Sequence, residues 1–508
     1  MNQALLVPEV LLDIFAHLNQ IGEPSYGRET LLSRQSLAAL AMTCKTFYEP
    51  AMDFLWSNMS GLLPLLGCVP RLHPMIYPRA QQSWSRGIEP LSEHERNQFL
   101  RHSARVRFFN VSSDADFHLL HAFPFDTCVF PKLQSLSWVV VFTRYLHFFL
   151  SPTLRNCYIA LVQPDLAQKF IGTRCANLED LDIVTMGTMA QATHLSETIC
   201  SCTGLIHLQC PPLDSAAWKH LSTVPTLLTV SIYQESFPGP PSKLDMHNLS
   251  SATFLNVTTL RFSYASVADV TAVIQHSEFP SLKEFELIVH VLPVVEALPL
   301  LHALSQCKAC HTLENIAISD DNTEIEEHPD DIAIYDDDTE IEDHPGDSLV
   351  VTRELLGFTQ LRTLRIFVHC PIYLDNDILC EALSSWPNLR SLCLYDHHPR
   401  PPKVTFRGLF AALRLCPDLH TLRVGVDAMN IDIDPIDPTA ESFQHTSLNQ
   451  LTIYPSPVGD SEVVARIIFF MLPNVHHNTY LSSLWGDVNA RLKSLKSSSS
   501  LSTGENGD

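Results

Sequence analysis

A short apolar phrase that recurs along the chain constrains the fold more than any other feature. It consists of an apolar residue or proline, one further residue, and then Leu-x-x-Leu-x-apolar. The clear copies contain Leu133, Leu282, Leu389 and Leu419. Weaker copies begin at Leu154, Leu178, Leu205, Leu227, Val257, Leu313, Leu361 and Leu448. About twelve units result, mostly spaced roughly 21 to 31 residues apart, which indicates a repeat protein.

Each unit combines a strand pattern with a helix pattern. The Leu-x-apolar part alternates apolar and polar residues, which is typical of a short strand. Helical spacing precedes three of the clear strands, at residues 266–276, 377–385 and 405–415. One helix and one parallel strand cannot bury their own apolar faces, whereas stacked neighbours can. We therefore predict an α/β solenoid, with a curved parallel sheet and helices on its convex side.

The units resemble the irregular leucine-rich repeats that follow the F-box in F-box proteins. The resemblance covers residues 130–475 and is loose, since the Asn or Cys that usually follows the strand is mostly absent. A βαβ nucleotide-binding domain also alternates strands and helices, but it needs a glycine-rich phosphate loop. None of the 17 glycines stands in G-x-G-x-x-G or P-loop order. A non-repeating α/β domain is the other alternative.

The N-terminal sixty residues follow a different, purely helical pattern. Residues 5–18 carry Pro8 near the first helical turn, followed by Glu9, and both residues favour a helix N-terminus. A loop with Gly22, Pro24 and Gly27 follows, residues 36–50 form a second helical segment, and residues 51–56 form a third apolar group. Three short apolar helices bury too little surface to be secure alone, so we expect them to bind a partner.

These helices resemble an F-box, in particular that of the large fungal F-box family. The residues that carry the resemblance are Pro8 to Phe15, Leu37, Leu40, Cys44, Phe47 and Trp56. The resemblance implies contacts with a Skp-type adaptor through Val7, Pro8, Glu9, Val10, Leu12, Ile14 and Leu37. It also implies that Leu40, Cys44 and Phe47 pack the module. Val7 replaces the usual Leu, and the loop at residues 19–35 is longer than common. The alternative is that these helices only cap the solenoid.

An acidic segment dominates the charge of the chain. Residues 320–347 carry fourteen acids and no Lys or Arg, out of a net charge of −23; the other 480 residues carry −9. Residues 316–331 are repeated at once as residues 332–347, a tandem duplication. Dense acids with Pro and Gly cannot pack a core, so we expect an exposed loop. The segment lacks the Gly and Glu that complete a calcium loop.

The remaining regions complete the predicted domain organisation. We place the F-box at residues 1–60, a linker or degenerate first repeats at 61–129, and the solenoid at 130–480. Within 61–129, residues 91–104 are predicted to form a helix. Residues 487–508 are Ser-rich, and we predict a disordered tail.

Other patterns in the chain are weak evidence for chemistry. The string from Cys307 to His311 matches a haem attachment motif, but no export signal accompanies it. A zinc site at Cys200, Cys202, His207 and Cys210 is disfavoured because Leu205 and Leu208 set a strand register there. We predict buried thiols at Cys157, Cys175 and Cys416 rather than disulfides. We therefore expect no enzyme activity, no metal and no cofactor.

The predicted function is substrate recognition in a cullin-based ubiquitin ligase. The F-box binds the Skp-type adaptor, and the solenoid binds a target protein. With no signal peptide, membrane span or basic stripe, we expect a cytoplasmic or nuclear protein that binds neither membrane nor nucleic acid. The alternative is a repeat scaffold unrelated to ubiquitination. Candidate target-binding residues on the exposed strand face are Arg261, Arg365, Phe367, Tyr395, Arg423 and Tyr454.

Overall fold

Short parallel strands that follow one another in chain order form the framework of the protein. The computed structural model describes residues 7–20, 28–77, 84–140, 143–161, 170–185, 192–234, 252–320, 353–368, 371–396, 401–433, 443–453, 456, 458–475 and 483–502. The chain divides into two compact units, residues 1–227 and 228–508. The predicted α/β class with a parallel sheet is confirmed in each unit.

The first unit contains the first six strands and the N-terminal helices. Its strands are β1 (Asn58–Ser60), β2 (Phe108–Val111), β3 (Ser135–Trp138), β4 (Asn156–Leu161), β5 (Asp180–Thr185) and β6 (His207–Cys210). Each strand pairs in parallel with the next. Its helices are α1 (Pro8–Gln20), α2 (Arg28–Thr43), α3 (Lys45–Ser57), α4 (Leu63–Leu66), α5 (His73–Ile76), α6 (Glu93–Ser103), α7 (Phe170–Arg174), α8 (Ala192–Cys200) and α9 (Ser215–Leu221).

The second unit repeats the same arrangement. Its main strands are β7 (Thr229–Tyr233), β9 (Thr259–Ser263), β11 (Glu284–Val289), β12 (Asn315–Asp320), β13 (Thr363–Val368), β14 (Ser391–Asp396), β15 (Thr421–Val424) and β16 (Gln450–Ile453), which pair in this order. A separate short pair joins β8 (Ala252–Thr253) and β10 (Ser277–Glu278). Its helices are α10 (Val267–His276), α11 (Val294–Gln306), α12 (Asn376–Ser385), α13 (Phe406–Leu413), α14 (Ser461–Met471) and α15 (Ser483–Ser502).

Local sequence explains where these elements begin and which face is buried. Alternate strand residues are buried, as in β9, where Leu260 and Phe262 lie in the core. Side-chain caps start the helices: the Asp375 carboxylate accepts from the Ile378 N–H, and the Thr405 hydroxyl accepts from the Gly408 N–H. Helices of successive repeats pack against one another, so each unit buries a continuous core.

The N-terminal helices begin and end at positions different from those predicted. Helix α2 already begins at Arg28, inside the segment predicted as a loop, and ends before Cys44. The extended backbone of Cys44 (φ −158°, ψ 164°) separates α2 from α3, whereas Pro50 lies inside α3. Strand β1 follows α3 directly and pairs with β2. Residues 58–111 therefore contribute strands to the same sheet as β3.

The C-terminal segment is a helix through Ser502, where the Ser-rich composition predicted disorder. Trp485, Val488 and Leu492 are buried on one side of α15, which packs against α14. The Trp485 indole N–H donates to the Ser456 carbonyl at 2.9 Å. The prediction for residues 487–502 was wrong because their serines concealed the i, i+3, i+7 spacing of these apolar residues. Residues 503–508 lie outside the described residues.

The three cysteines predicted to be buried are core residues. Cys157, Cys175 and Cys416 are buried and free. Burial raises the pKa of the Cys175 thiol to about 12 and that of Cys416 to about 11. Among the described residues, no helix is long and apolar enough to cross a membrane.

Candidate protein-interaction surfaces

Helix α1 buries one narrow stripe against the other N-terminal helices. Leu11 and Phe15 are 3% and 1% exposed and pack in a cluster with Leu37, Ala41 and Ala51. The Phe15 ring meets the rings of Phe47 and Phe54 edge-on, with centroid separations of 6.0 and 6.4 Å. This small cluster holds α1, α2 and α3 together as one helical module, residues 8–57.

Large apolar side chains of α1 and of Val7, which immediately precedes it, remain at the surface on both sides of that stripe. Val7, Val10, Leu12 and Ile14 are between 38% and 47% exposed. Val10 and Ile14 share one side because they are four residues apart, and Leu12 lies beyond Leu11 on the other side. Glu9 is also exposed. The side chain of Pro8 lies outside the described residues. Exposed apolar side chains beside polar residues are typical of a protein-binding surface.

Leu37 occupies a different place from the other predicted adaptor contacts. It is 0% exposed and belongs to the core of the helical module. Its predicted role as a surface contact was wrong, because helix α2 turns it toward Phe15. Leu40 and Phe47 are partly buried against the same cluster, in keeping with a packing role.

The helical module is fastened to the first repeats by contacts that the sequence did not reveal. The Arg105 guanidinium, just after α6, forms ion pairs with Glu49 and Asp53 of α3. The Trp56 ring stacks on the His102 ring at a centroid distance of 4.7 Å. No sequence pattern predicted these contacts.

The strand face of the second unit has the side-chain columns that alternation predicts. The sheet register places Arg261, Glu286, Ala317, Arg365, Cys393, Arg423 and Thr452 in one row. A neighbouring row contains Tyr233, Ser263, Ile288, Ser319, Phe367 and Tyr395. Small residues of β12, Ala317 and Ser319, separate the β11 side chains from those of β13.

An arginine stacked on two aromatic rings is the main feature of that face. The Arg423 guanidinium lies 4.4 Å from the centroid of the Tyr395 ring and 5.1 Å from that of Phe367. The two rings are 6.2 Å apart. Tyr395 is only 2% exposed, so its prediction as a surface anchor was wrong: its ring supports Arg423 instead. Tyr454 lies outside the described residues.

The arginines of this face differ in their ionic partners. Arg261 forms ion pairs with Glu286 at 2.9 Å and Glu284 at 3.5 Å, and its role in target binding stays a prediction. Arg365 is exposed and has no carboxylate partner in the part of the chain that the structure describes. Between the arginine strands, burial raises the pKa of the Cys393 thiol, while Ser391 and both arginines lower it.

Other exposed and polar features were missed by the sequence. Tyr264 has a backbone φ of 60°, in the left-handed region, and its ring stacks on His290 at 4.7 Å. Asp182, on the strand face of β5, is half-buried, and burial raises its pKa to about 6. The zinc candidates do not converge, since the described residues include no cluster of three or more metal-binding side chains.

Comparisons with known proteins found similarity among solved structures. No protein-family model and no curated protein matches the chain. A solved internalin from Listeria monocytogenes is similar at 13% identity, over 70% of this chain and 84% of that one, with a TM-score of 0.36. The yeast Rad7 and Elc1 complex is similar at 12% identity, over 94% and 91%, with a TM-score of 0.34. The APL1 leucine-rich repeat domain is similar at 10% identity, over 76% of both chains, with a TM-score of 0.31.

Identities and TM-scores at this level have no bearing on function. The register of the sheet, with one parallel strand per leucine-rich phrase, defines the class directly: a repeat protein of strand–helix units. Repeat proteins of this architecture present an extended strand face, and such faces bind other proteins.

Proposed function

We propose that the protein is a target-recruiting subunit of a cullin-based ubiquitin ligase. The helical module docks on a Skp-type adaptor, and the strand face of the second unit holds a target protein. The observation that supports the first part is the exposed apolar surface of α1, formed by Val7, Val10, Leu12 and Ile14. Covering these half-exposed side chains contributes on the order of 1 kcal/mol each, which is sufficient for a docking surface.

The mechanism in this role is proximity. The protein itself supplies no reacting group; the other ligase subunits carry the ubiquitin chemistry. Holding target and adaptor on one chain raises the effective concentration of target lysines near the charged ubiquitin carrier.

A capping role is the second candidate, and two sets of contacts favour it. Arg105 and the Trp56–His102 stack tie the helical module to the first repeats, as a terminal cap requires. Capping alone leaves the exposed apolar residues of α1 unexplained, because a cap presents a polar outer face. If the helical module only caps the repeats, the protein is a repeat scaffold unrelated to ubiquitination.

Acidic substitutions on α1 distinguish the adaptor-binding role from the capping role. The double variant Val10→Asp/Ile14→Asp places charges in the proposed contact without touching the module core. Burying unpaired charges costs about 3 kcal/mol or more, so the Kd for a purified Skp-type adaptor is expected to rise at least about 100-fold. Calorimetry measures the affinity, and circular dichroism checks the fold.

Matched variants complete this experiment. Val295→Asp adds a charge at a 78% exposed apolar residue of the second unit and is expected to leave adaptor binding unchanged. Phe15→Asp, in the module core, is expected to unfold the module. Adaptor binding by the Val10/Ile14 variant with wild-type affinity overturns the ligase proposal and leaves the capping role.

A further inference from the structure

We infer that the strand face of the first unit is a second protein-binding surface, which takes an extended basic segment of a partner protein at Asp180 and Asp182 of β5. The proposed function assigns the target to the second unit, so this inference goes beyond it. It also does not depend on adaptor binding by α1.

The outward strand positions of the first unit contain acids but neither lysine nor arginine. The register of β1 to β6 places on this face Asn58, Ser60, Phe108, Asn110, Ser135, Ser137, Asn156, Tyr158, Ala160, Asp180, Asp182, Val184, His207 and Gln209. The equivalent positions of the second unit include Arg261, Arg365 and Arg423. The described strand face of the first unit is therefore acidic, and charge complementarity favours a basic partner.

Asp182 has no cationic neighbour among the described residues that offsets its charge. Its side chain is half-buried and lies between Tyr158 and Gln209. Its Oδ1 is shielded from solvent and accepts no hydrogen bond from the described part of the chain. Desolvation raises the pKa of this carboxyl to about 6, so the group is still mostly ionised at pH 7.5. A bound ammonium or guanidinium group supplies the counter-charge and the hydrogen bond that this carboxylate lacks.

Asp180 adds a second negative charge on the same side of β5. Its side chain is 42% exposed, and the Nε2 of His207 lies 3.9 Å from its Oδ1, beyond hydrogen-bonding distance. Arg155, just before β4, already forms an ion pair with Glu179 at 3.0 Å. These neighbouring bases therefore leave the Asp180 carboxylate accessible to a ligand.

Aromatic rings on neighbouring strands suit the side chain of a basic residue. Tyr158 lies directly opposite Asp182 in the register of β4 and β5, and Phe108 of β2 is 46% exposed. Cations bind favourably over aromatic faces, and the aliphatic stems of lysine and arginine pack on apolar surface. An acid next to a ring therefore fits lysine or arginine better than it fits a small inorganic cation.

The geometry of β5 sets the spacing of the ligand. Asp180 and Asp182 are two residues apart, so their side chains share one face and are separated by about 7 Å along the strand. Side chains at alternate positions of an extended peptide also share one face and have the same separation. The preferred ligand is therefore a segment with basic-x-basic spacing.

Peptide binding to the full-length protein tests this inference. The probe is Gly-Thr-Lys-Thr-Lys-Thr-Gly, labelled with a neutral fluorophore. One control peptide has Gln in place of each Lys, and another, Gly-Thr-Lys-Lys-Thr-Thr-Gly, has the same charge with adjacent lysines. Fluorescence anisotropy is expected to show binding of the probe that is at least about tenfold tighter than that of the Gln peptide and about threefold tighter than that of the adjacent-lysine peptide.

Variants of the first unit assign the binding to the two aspartates. Asp180→Asn/Asp182→Asn keeps the size of both side chains and is expected to weaken probe binding at least about tenfold. Tyr158→Leu removes the ring and is expected to weaken it about threefold. Asp126→Asn changes a carboxylate of the same unit that pairs with Arg174, and it is expected to change probe binding less than about twofold. Circular dichroism checks the fold, and each single aspartate variant is measured alongside.

The acidic residues at 320–347 also attract a basic peptide, and a deletion distinguishes their contribution. Removal of residues 332–347 is expected to change probe binding less than about twofold. A tenfold loss of binding in this deletion variant overturns the inference, as does full binding by the Asp180/Asp182 variant or equal binding of the probe and the adjacent-lysine peptide. The adaptor takes no part in these measurements, so failure here leaves the proposed function intact.

Discussion

Asp182 shows how burial on a strand face changes the chemistry of a single residue. It lies between Tyr158 and Gln209 on neighbouring strands, and its Oδ1 has no hydrogen-bond partner in the described part of the chain. Desolvation disfavours the charged form, which raises the pKa of this carboxyl to about 6. The ionised group therefore destabilises the folded protein near neutral pH.

Replacement of Asp182 by Asn is expected to stabilise the protein in a pH-dependent way. The folded-state pKa of about 6 exceeds the ordinary value of 3.8, so the folded state binds the proton more tightly. The stabilising contribution is complete below pH 3.8 and is lost as the pH rises through 6. At pH 7.5, Asp182→Asn should add about 1 kcal/mol after allowance for solvent screening, or roughly 2–4 °C in Tm.

Thermal unfolding at pH 4 and pH 7.5 checks this expectation. The gain in Tm should be present at pH 7.5 and largely absent at pH 4. Asp126→Asn, at a side chain that is 95% exposed, serves as the control and should show no such profile. An equal gain at both pH values contradicts the burial explanation.

Helix α15 is the element whose stability depends most clearly on packing against its neighbours. It has few strong helix formers in its last two turns, and serines occupy residues 497–500. Trp485, Val488 and Leu492 are nevertheless each at most 2% exposed, and Arg491 forms an ion pair with Glu462 of α14. Tertiary packing of an apolar stripe therefore stabilises this helix more than intrinsic propensity does.

Shortening Leu492 to Ala tests whether α15 is an integral part of the second unit. A buried Leu→Ala change should cost about 2–4 kcal/mol, through lost burial and the cavity it leaves. Lys493→Ala, one residue away at an exposed position, should change stability by about 0.5 kcal/mol or less. Chemical denaturation measures both values. Equal, small effects for the two variants contradict the packing of α15.

In the whole molecule, the acidic duplication interrupts the repeat array without shifting it. Strand β12 contains the first five residues of the first copy, and β13 follows the second copy. These two strands pair from Asn315 with Thr363 to Ser319 with Phe367. Residues 321–352 lie outside the described residues, so the predicted exposed loop stays a prediction. Both strands keep the register of their neighbours, which indicates that the sheet does not depend on the length of this insertion.

Deletion of residues 332–347 removes one complete copy of the duplication. Because loop length changes the closure entropy only slightly, the expected shift in Tm is at most about 2 °C. Differential scanning calorimetry measures this shift, and circular dichroism checks the secondary structure. A fall in Tm of about 5 °C or more, or a loss of cooperative unfolding, shows instead that the segment packs in the folded protein.

The sequence by itself determined the repeat architecture and the side-chain columns of the strand face. Strand alternation has a period of two, and each unit carries the same phrase, so Arg261, Glu286, Arg365 and Arg423 had to share one row. The start of α1 near Pro8 and the apolar face around Ile14 also followed from local pattern. These features are local, which is why one segment suffices to predict them.

Only the tertiary structure decided which of those residues are available. Leu37 is buried because α1 packs over it, Tyr395 because Arg423 covers it, and Arg261 is neutralised by glutamates that lie on or beside its row. The helical tail forms because α14 buries its apolar stripe. Whether these side chains are exposed, whether their charges are paired and whether the helix is stable depend on contacts with distant segments. The local sequence pattern of one segment does not specify which other segments will contact it.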